Sequence, residues 1–337
     1  MLWPCTRITQ ALLFSLTISA SMVQAKEADH VAIGRIQNQN FGNWAIGDGA
    51  QSVTIISCAS SSNYDNPYDD PPPAVTPPAV HLPYQFKVSQ LATPAGHYLY
   101  LDGDDTNTGN ARIVVQFEHR DVKTPSTFET LSDNIYDAHL HDGQFRLCKS
   151  GDNSELRMTL TQAELEKARA GTYRTDFRAG VIGGSSGTAS ATTDFFMRIS
   201  VSTAAQVSGL SNINLGVWDG TGDLVAEEGF CVYSNTTDAA YELSISSPGQ
   251  DGGGNFYLSN PGATVSIPYQ LRFKDDVSPG GGVLVGTASL TGNGNNSVVD
   301  CGGIDNAKLS VTLLAADLGA AANNIYSDTI TLVVVPL

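Results

Sequence analysis

One segment of this sequence occurs twice, and the repetition constrains the fold more than any single motif does. When Cys148 is placed on Cys301, an offset of 153, a gapless reading to Tyr173 and Tyr326 finds ten identities in 26 positions. Asp152/Asp305, Asn153/Asn306, Leu156/Leu309, Leu160/Leu313 and Tyr173/Tyr326 are among them, where chance gives about two. A second echo pairs residues 82–87 (LPYQFK) with 267–272 (IPYQLR). With 337 residues the chain has room for two domains of about 150. The repeat therefore predicts one plan used twice: strand, short helical turn, strand.

The local signals specify strands. Runs rich in Val, Ile, Tyr and Phe, bounded by Gly, Asn, Asp or Pro, fall at 51–58, 82–90, 97–101, 111–117, 172–182 and 193–202 in the first half. The second half continues at 212–218, 230–234, 239–246, 265–274, 283–290, 309–313 and 326–335. Helix is scarce; the best candidate is 161–170 (TQAELEKARA), opened by a capping box of Thr161 and Glu164. Short strands at this spacing predict an all-β protein of two Ig-like antiparallel β-sandwich domains. We place the N-terminal domain at 26–202, a small, polar, uncharged linker at 203–211, and the C-terminal domain at 212–337.

The N-terminus predicts export. Arg7, an apolar run at 11–20 (ALLFSLTISA) and Val23-Gln24-Ala25 have the order of a secretory signal cut after Ala25. That cut removes Cys5 and leaves Cys58, Cys148, Cys231 and Cys301. Four cysteines allow three connectivities. With two in each half, the economical choice is 58–148 and 231–301. No C-x-x-C pair supports zinc. A net charge of −16, from 18 basic and 34 acidic residues, opposes phosphate tracking and excludes general nucleic-acid binding.

The two copies differ at their ends. After Tyr173 the first copy makes a strand, turns at 183–187 (GGSSG) and returns through 193–202. After Tyr326 the second copy makes its strand, and the sequence stops at Leu337 with no return. The expected second sandwich thus lacks its final strand and exposes a sheet edge. Ile330, Leu332 and Val334 share the inward face of that edge. Such a domain requires a strand from elsewhere, which is β-augmentation.

A complete β-domain followed by an incomplete one resembles the two-domain tip adhesins of chaperone–usher fimbriae. Segments 227–235 (EEGFCVYSN), 252–260 (GGGNFYLSN), 267–276 (IPYQLRFKDD) and 326–334 (YSDTITLVV) resemble most the pilin domain of colonization-factor (alpha-type) tip subunits, with archaic-type tip subunits second. The first half fits more loosely, through 156–171 and the hairpin after it. The ending Val335-Pro336-Leu337 lacks the aromatic residue that better-known pilins carry there. The resemblance implies three assembly partners: a periplasmic chaperone that lends a strand, an outer-membrane usher, and an adjacent pilin whose N-terminal extension replaces the chaperone strand. It also implies display at a fimbrial tip, a host or surface receptor that includes glycans, no cofactor and no enzymatic activity. The short stretch 26–35 leaves no spare N-terminal donor strand, in keeping with a distal position. A non-adhesive minor pilin or assembly initiator is the alternative, followed by a secreted carbohydrate-binding or hydrolytic β-sandwich protein.

Other motifs carry chemistry of their own. The 183–187 segment matches G-x-S-x-G, but a nucleophile elbow needs a strand-to-helix turn, and this one joins two strands. The 102–107 segment (DGDDTN) lacks the ligands of a calcium loop. His139 and His141, flanked by Asp137 and Asp142, fall on one strand face and could hold a transition metal only with a third ligand; we expect an exposed strand and no metal. The proline-rich stretch 60–81 favours polyproline II and offers Tyr64 and Tyr68 as contact residues. Arg174 and Arg178, alternating on one strand, suit an acidic glycan; Arg112, Arg120 and Arg146 lie elsewhere in the first half.

Overall fold

A long hairpin organises the first half of the chain. Gly171–Gly183 and Ala189–Val201 pair antiparallel over their full length, Gly171 opposite Val201 through Gly183 opposite Ala189. Alternation drives it: Tyr173, Phe177, Ala179 and Val181 are buried on one face, while Arg174, Asp176 and Arg178 are exposed on the other. The outer edge of Gly171–Gly183 takes Pro83–Gln90 antiparallel, and the outer edge of the return strand takes Gln39–Trp44 in parallel. A second sheet, ordered His30–Gly34, Gln51–Ser62, Ser154–Leu160, Gln116–Asp121 and Glu129–Thr130, supplies the other face. Between them lies a core that includes Phe86, Phe117, Met158, Phe177 and Phe195, with Phe117 and Phe177 edge to face at 5.0 Å.

The computed structural model describes residues 30–63, 80–91, 95–104, 108–122, 127–144, 151–184, 186–260 and 266–337. The expected signal segment 1–25, Tyr64, Tyr68, Arg146 and Cys148 lie outside them.

The second half has its own core, built on Phe230, Val232, Tyr241, Leu243, Leu271, Phe273 and Leu309. One sheet orders Ala205–Ser208, Leu224–Ser234, Ala307–Leu313, Ile267–Lys274 and Phe256–Leu258; the facing one orders Leu290–Asn293, Ala240–Ser246 and Thr331–Pro336. The protein is all-β in two such layered halves.

The 153-residue offset holds in three dimensions. Ser154–Leu160 corresponds to Ala307–Leu313, and the one-turn helix Gln162–Lys167 to Ala315–Ala320. The repeated residues have the same duties in both copies. Asn153 accepts from the Ala59 amide at 2.9 Å and donates to the Ala59 carbonyl at 3.1 Å. Asn306 does the same to Val232, at 2.8 and 2.9 Å. In each copy the clamped residue follows a cysteine, Cys58 or Cys231. The Tyr173 hydroxyl donates to the Arg169 carbonyl, and Tyr326 to the matching Ala322. Cys231 and Cys301 form the expected disulfide; Cys58 is also disulfide-bonded.

Several expected elements differ. Thr161 caps its helix through the Glu164 amide, but the helix stops at Lys167. The stretch expected as linker contributes the strand Ala205–Ser208, paired with 231–234. Residues 283–290 are not one strand; only Val283–Leu284 and Leu290–Asn293 pair. The final strand begins at Thr331, so Ile330 precedes it. Residues 212–218 are not a strand at all. Among the described residues no strand pairs with them. Among the described residues, no helix is long and apolar enough to cross a membrane.

Candidate functional site

In the first half, the return strand occupies a position between two neighbours. On one side it pairs with Gly171–Gly183, and on the other it runs parallel to Gln39–Trp44, with Met197 opposite Gln39 and Val201 opposite Trp44. The flanking segment 40–44 reads NFGNW. Its Gly42 has φ 77°, a left-handed conformation suited to glycine, and the Gly42 amide donates to Asn40 Oδ1 at 3.0 Å. Trp44 donates from Nε1 to the Gly49 carbonyl at 2.8 Å and is 2% exposed.

The second half repeats this segment as NLGVW at 214–218. Gly216 has φ 75°, its amide donates to Asn214 Oδ1 at 2.9 Å, and Trp218 Nε1 donates to the Gly222 carbonyl at 2.9 Å. The geometry is the same, but no strand pairs with it among the described residues. Ile213, Leu215 and Trp218 are only partly buried against the second core, and Val217 is 94% exposed.

By its correspondence to Gly171–Gly183, Thr331–Pro336 borders the same position from the other side. One of its edges pairs with Ala240–Ser246, from Tyr241 opposite Pro336 to Ser246 opposite Thr331. It ends its three-stranded sheet, so its other edge carries no ladder among the described residues. Leu332 and Val334 point inward, and with Ile330 they pack on the core while staying partly exposed. Val334 corresponds to Val181, which is fully buried. Val333 and Val335, on the outer face, are 52% and 50% exposed.

The NFGNW/NLGVW pair was missed by the sequence comparison because it recurs at an offset of 174, not 153. The first half is longer between Trp44 and Cys148, and a gapless alignment cannot register both. Asn, Gly and Trp at fixed spacing were the available signal.

The other predicted residues separate. Arg174 and Arg178 share an exposed face. Arg178 makes a two-point bond to Asp194, at 2.7 and 2.9 Å, which raises the guanidinium and holds the Asp194 carboxyl below its ordinary value. Arg174 lies 3.4 Å from Asp176 and stacks over Phe196 at 4.5 Å. Arg198, which the sequence reading did not single out, stands opposite Arg174 in register and is exposed. Of the 183–187 motif, Ser185 lies outside the described residues; Gly187 donates to the Gly184 carbonyl between the two hairpin strands. Asp104 of the 102–107 motif, whose residues 105–107 lie outside the described ones, is paired with Arg169. His139 and His141 do not share a face: His139 is exposed and pairs with Glu129, while His141 is buried. The short pairing of His141–Asp142 with 83–84 turns His141 into the core.

No family model and no curated protein matches the sequence. Solved structures do. The tip subunit of the archaic chaperone–usher Csu pili of Acinetobacter baumannii, in complex with its chaperone, aligns at 10% identity and TM-score 0.44, covering 89% of this chain and 99% of the other. CfaE, the adhesive subunit of CFA/I fimbria of enterotoxigenic Escherichia coli, aligns at 10% identity and TM-score 0.36, covering 90% and 93%. The CupB6 tip adhesin of Pseudomonas aeruginosa aligns at 10% identity and TM-score 0.31, covering 91% and 94%. Each of these alignments extends over about nine-tenths of the chain.

Proposed function

We propose that this chain is a fimbrial tip adhesin exported by the chaperone–usher pathway, whose second half docks to a fibre by accepting a donor strand. One observation carries the reading. The position filled by Ala189–Val201 in the first half is flanked in the second by NLGVW and Thr331–Pro336, with no strand between them among the described residues. An unpaired edge beside half-covered apolar side chains is the substrate of β-augmentation. In this reading a periplasmic chaperone supplies the strand first, a neighbouring subunit replaces it, and an outer-membrane usher passes the complex outward. The docking unit begins at the strand Ala205–Ser208, and the first half contacts a surface or host receptor without catalysis.

The chain supplies its own test. Because Gly183 corresponds to Pro336, a copy of residues 184–201 fused directly after Pro336 reproduces the first hairpin. The fusion is expected to raise the melting midpoint of the second half and its resistance to protease. Unchanged stability and protease sensitivity would refute the acceptor reading. For the receptor, Arg174→Ala and Arg178→Ala are expected to lower binding to acidic glycans on an array while leaving the fold intact, since exposed ion pairs contribute little stability. If the unaltered chain binds no glycan or cell surface, the face is not a receptor site and the minor-pilin reading replaces it.

A further inference from the structure

The core of the first half holds three ligand-type side chains that the open edge does not use. His119, Asp137 and His141 are 0%, 6% and 4% exposed. His119 Nδ1 and His141 Nε2 each lie 2.8 Å from the same oxygen, Asp137 Oδ2. One ligand atom from each residue lies within 4.8 Å of the other two.

Each group is held in place. The other Asp137 oxygen accepts from the Phe86 amide at 2.8 Å, and the Asp137 amide donates back to the Phe86 carbonyl. His119 stacks flat on Phe86 at 4.3 Å. Its second nitrogen, Nε2, lies 2.8 Å from Ser154 Oγ, which meets Ser57 Oγ at 2.7 Å. His141 stands perpendicular to His119 at 4.5 Å. Tyr84 packs against both imidazoles, at 6.2 and 5.3 Å. Its buried hydroxyl has no hydrogen-bond partner of normal geometry among the described residues.

The charges do not balance as they stand. Asp137 is buried, and its Oδ2 faces the two imidazole nitrogens. Among the described residues, the ion pairs of Asp137 are with these two imidazoles and with no lysine or arginine. A buried carboxylate without a counter-charge is strongly disfavoured. The positive charge comes either from a proton on an imidazole or from a cation.

We propose that His119 Nδ1, His141 Nε2 and Asp137 Oδ2 bind one divalent first-row transition-metal ion of the zinc class. Two imidazoles and a carboxylate form a nitrogen–oxygen set that suits zinc, copper or nickel and not calcium or magnesium. With Nδ1 on the metal, the His119 Nε2–H donates to Ser154 Oγ, the outer hydrogen bond that orients metal-bound histidines. The ion would tie the 131–144 segment to the Gln116–Asp121 strand, a structural role that needs no open access. Because the ligands are buried, loading accompanies folding.

The test uses the full exported chain, unfolded in chelator and refolded with zinc or with EDTA, then dialysed. One equivalent of zinc should be retained, and the zinc-refolded protein should melt several degrees above the EDTA-refolded one. Asp137→Asn and His141→Asn should lose the bound zinc, whereas His139→Ala, at the exposed histidine, should keep it. Refolding with cobalt should give the visible absorption of a low-coordinate nitrogen–oxygen site, a readout on the unaltered chain that does not depend on the variants folding. Sub-stoichiometric zinc with identical melting in zinc and EDTA would overturn the proposal and leave the proton as the counter-charge. Retention of zinc by folded His141→Asn, or a colourless cobalt-refolded protein, would also overturn it.

Discussion

Val181 and Val334 occupy the same position in the two copies, and that identity allows one perturbation to be compared in two environments. Val181 is fully buried, opposite Ala191 of the return strand. Val334 packs on the second core from one side and is partly exposed on the other. Val→Ala removes two methyl-sized groups, worth about 1.6 kcal/mol in transfer at about 0.8 kcal/mol each. A residual cavity adds about 24 cal/mol per Å³. Val181→Ala should therefore cost about 2–3 kcal/mol. Val334→Ala loses less buried surface and leaves no closed cavity, so about 1 kcal/mol is expected by the same bookkeeping. Urea unfolding separates the halves when tryptophan fluorescence is followed in Trp44→Phe and Trp218→Phe backgrounds. In the chain carrying residues 184–201 after Pro336, the cost of Val334→Ala should rise to that of Val181→Ala. At about 2–4 °C per kcal/mol the change is readable in melting midpoints too. An equal cost for Val334→Ala with and without the fused strand would refute the reasoning, because it would mean that Val334 is already fully enclosed.

Three further outcomes follow from the same geometry. Trp218 is partly buried where its counterpart Trp44 is 2% exposed, so filling the edge should shift its emission to shorter wavelength; an unchanged spectrum on fusion would count against the correspondence. Asn306→Ala leaves the Val232 amide and carbonyl without their side-chain partner and should cost about 1–3 kcal/mol by equilibrium unfolding, whereas a neutral effect would show that the clamp is dispensable. His97 is buried against Phe117 and Phe177, and burial holds its proton affinity below the ordinary 6.5 despite its bond to the Val88 carbonyl. The unfolded chain therefore takes up this proton first as pH falls. The stability contribution is present above 6.5 and is lost as pH drops from there through the folded value. His97→Gln should flatten that part of the stability–pH curve.

Much of the architecture was legible because the repeat kept chemistry and spacing together. Asn153/Asn306 and Tyr173/Tyr326 are identities that the structure turns into identical hydrogen bonds. Alternation around Arg174 and Arg178 located the hairpin and its exposed face. What failed was pairing, which a single strand does not encode. Residues 212–218 have strand composition, yet among the described residues no strand pairs with them, so they form no ladder. The small polar stretch at 205–208 looked like a linker and became a strand, because residues 231–234 offered it an edge. The cluster of His119, Asp137 and His141 was half visible. His141 and Asp137 stand four residues apart, but His119 joins them only through the fold, and His139, adjacent in the motif, turns away.

The closed copy also specifies what the open one should accept. In the first half the return strand buries Phe195, Met197, Ile199 and Val201, and turns the smaller Ala191 and Thr193 inward near the turn. These stand opposite Phe177, Thr175, Tyr173, Gly171, Val181 and Ala179 in that order. Carried across the 153-residue offset, Phe195 falls opposite Ile330, Thr193 opposite Leu332 and Ala191 opposite Val334. A donor should thus run antiparallel to Thr331–Pro336 and parallel to 214–218. It should place apolar side chains at every second position, bulky toward Ile330 and Tyr326 and small toward Pro336. A one-residue slip would turn every inward side chain to solvent. A peptide copying residues 189–201 should therefore bind the full chain and raise its melting midpoint with concentration, as a ligand of the folded state does. The same composition with its alternation displaced by one residue should not. Equal stabilisation by both peptides would show that the edge takes up apolar sequence without register, and the strand-for-strand correspondence would fall.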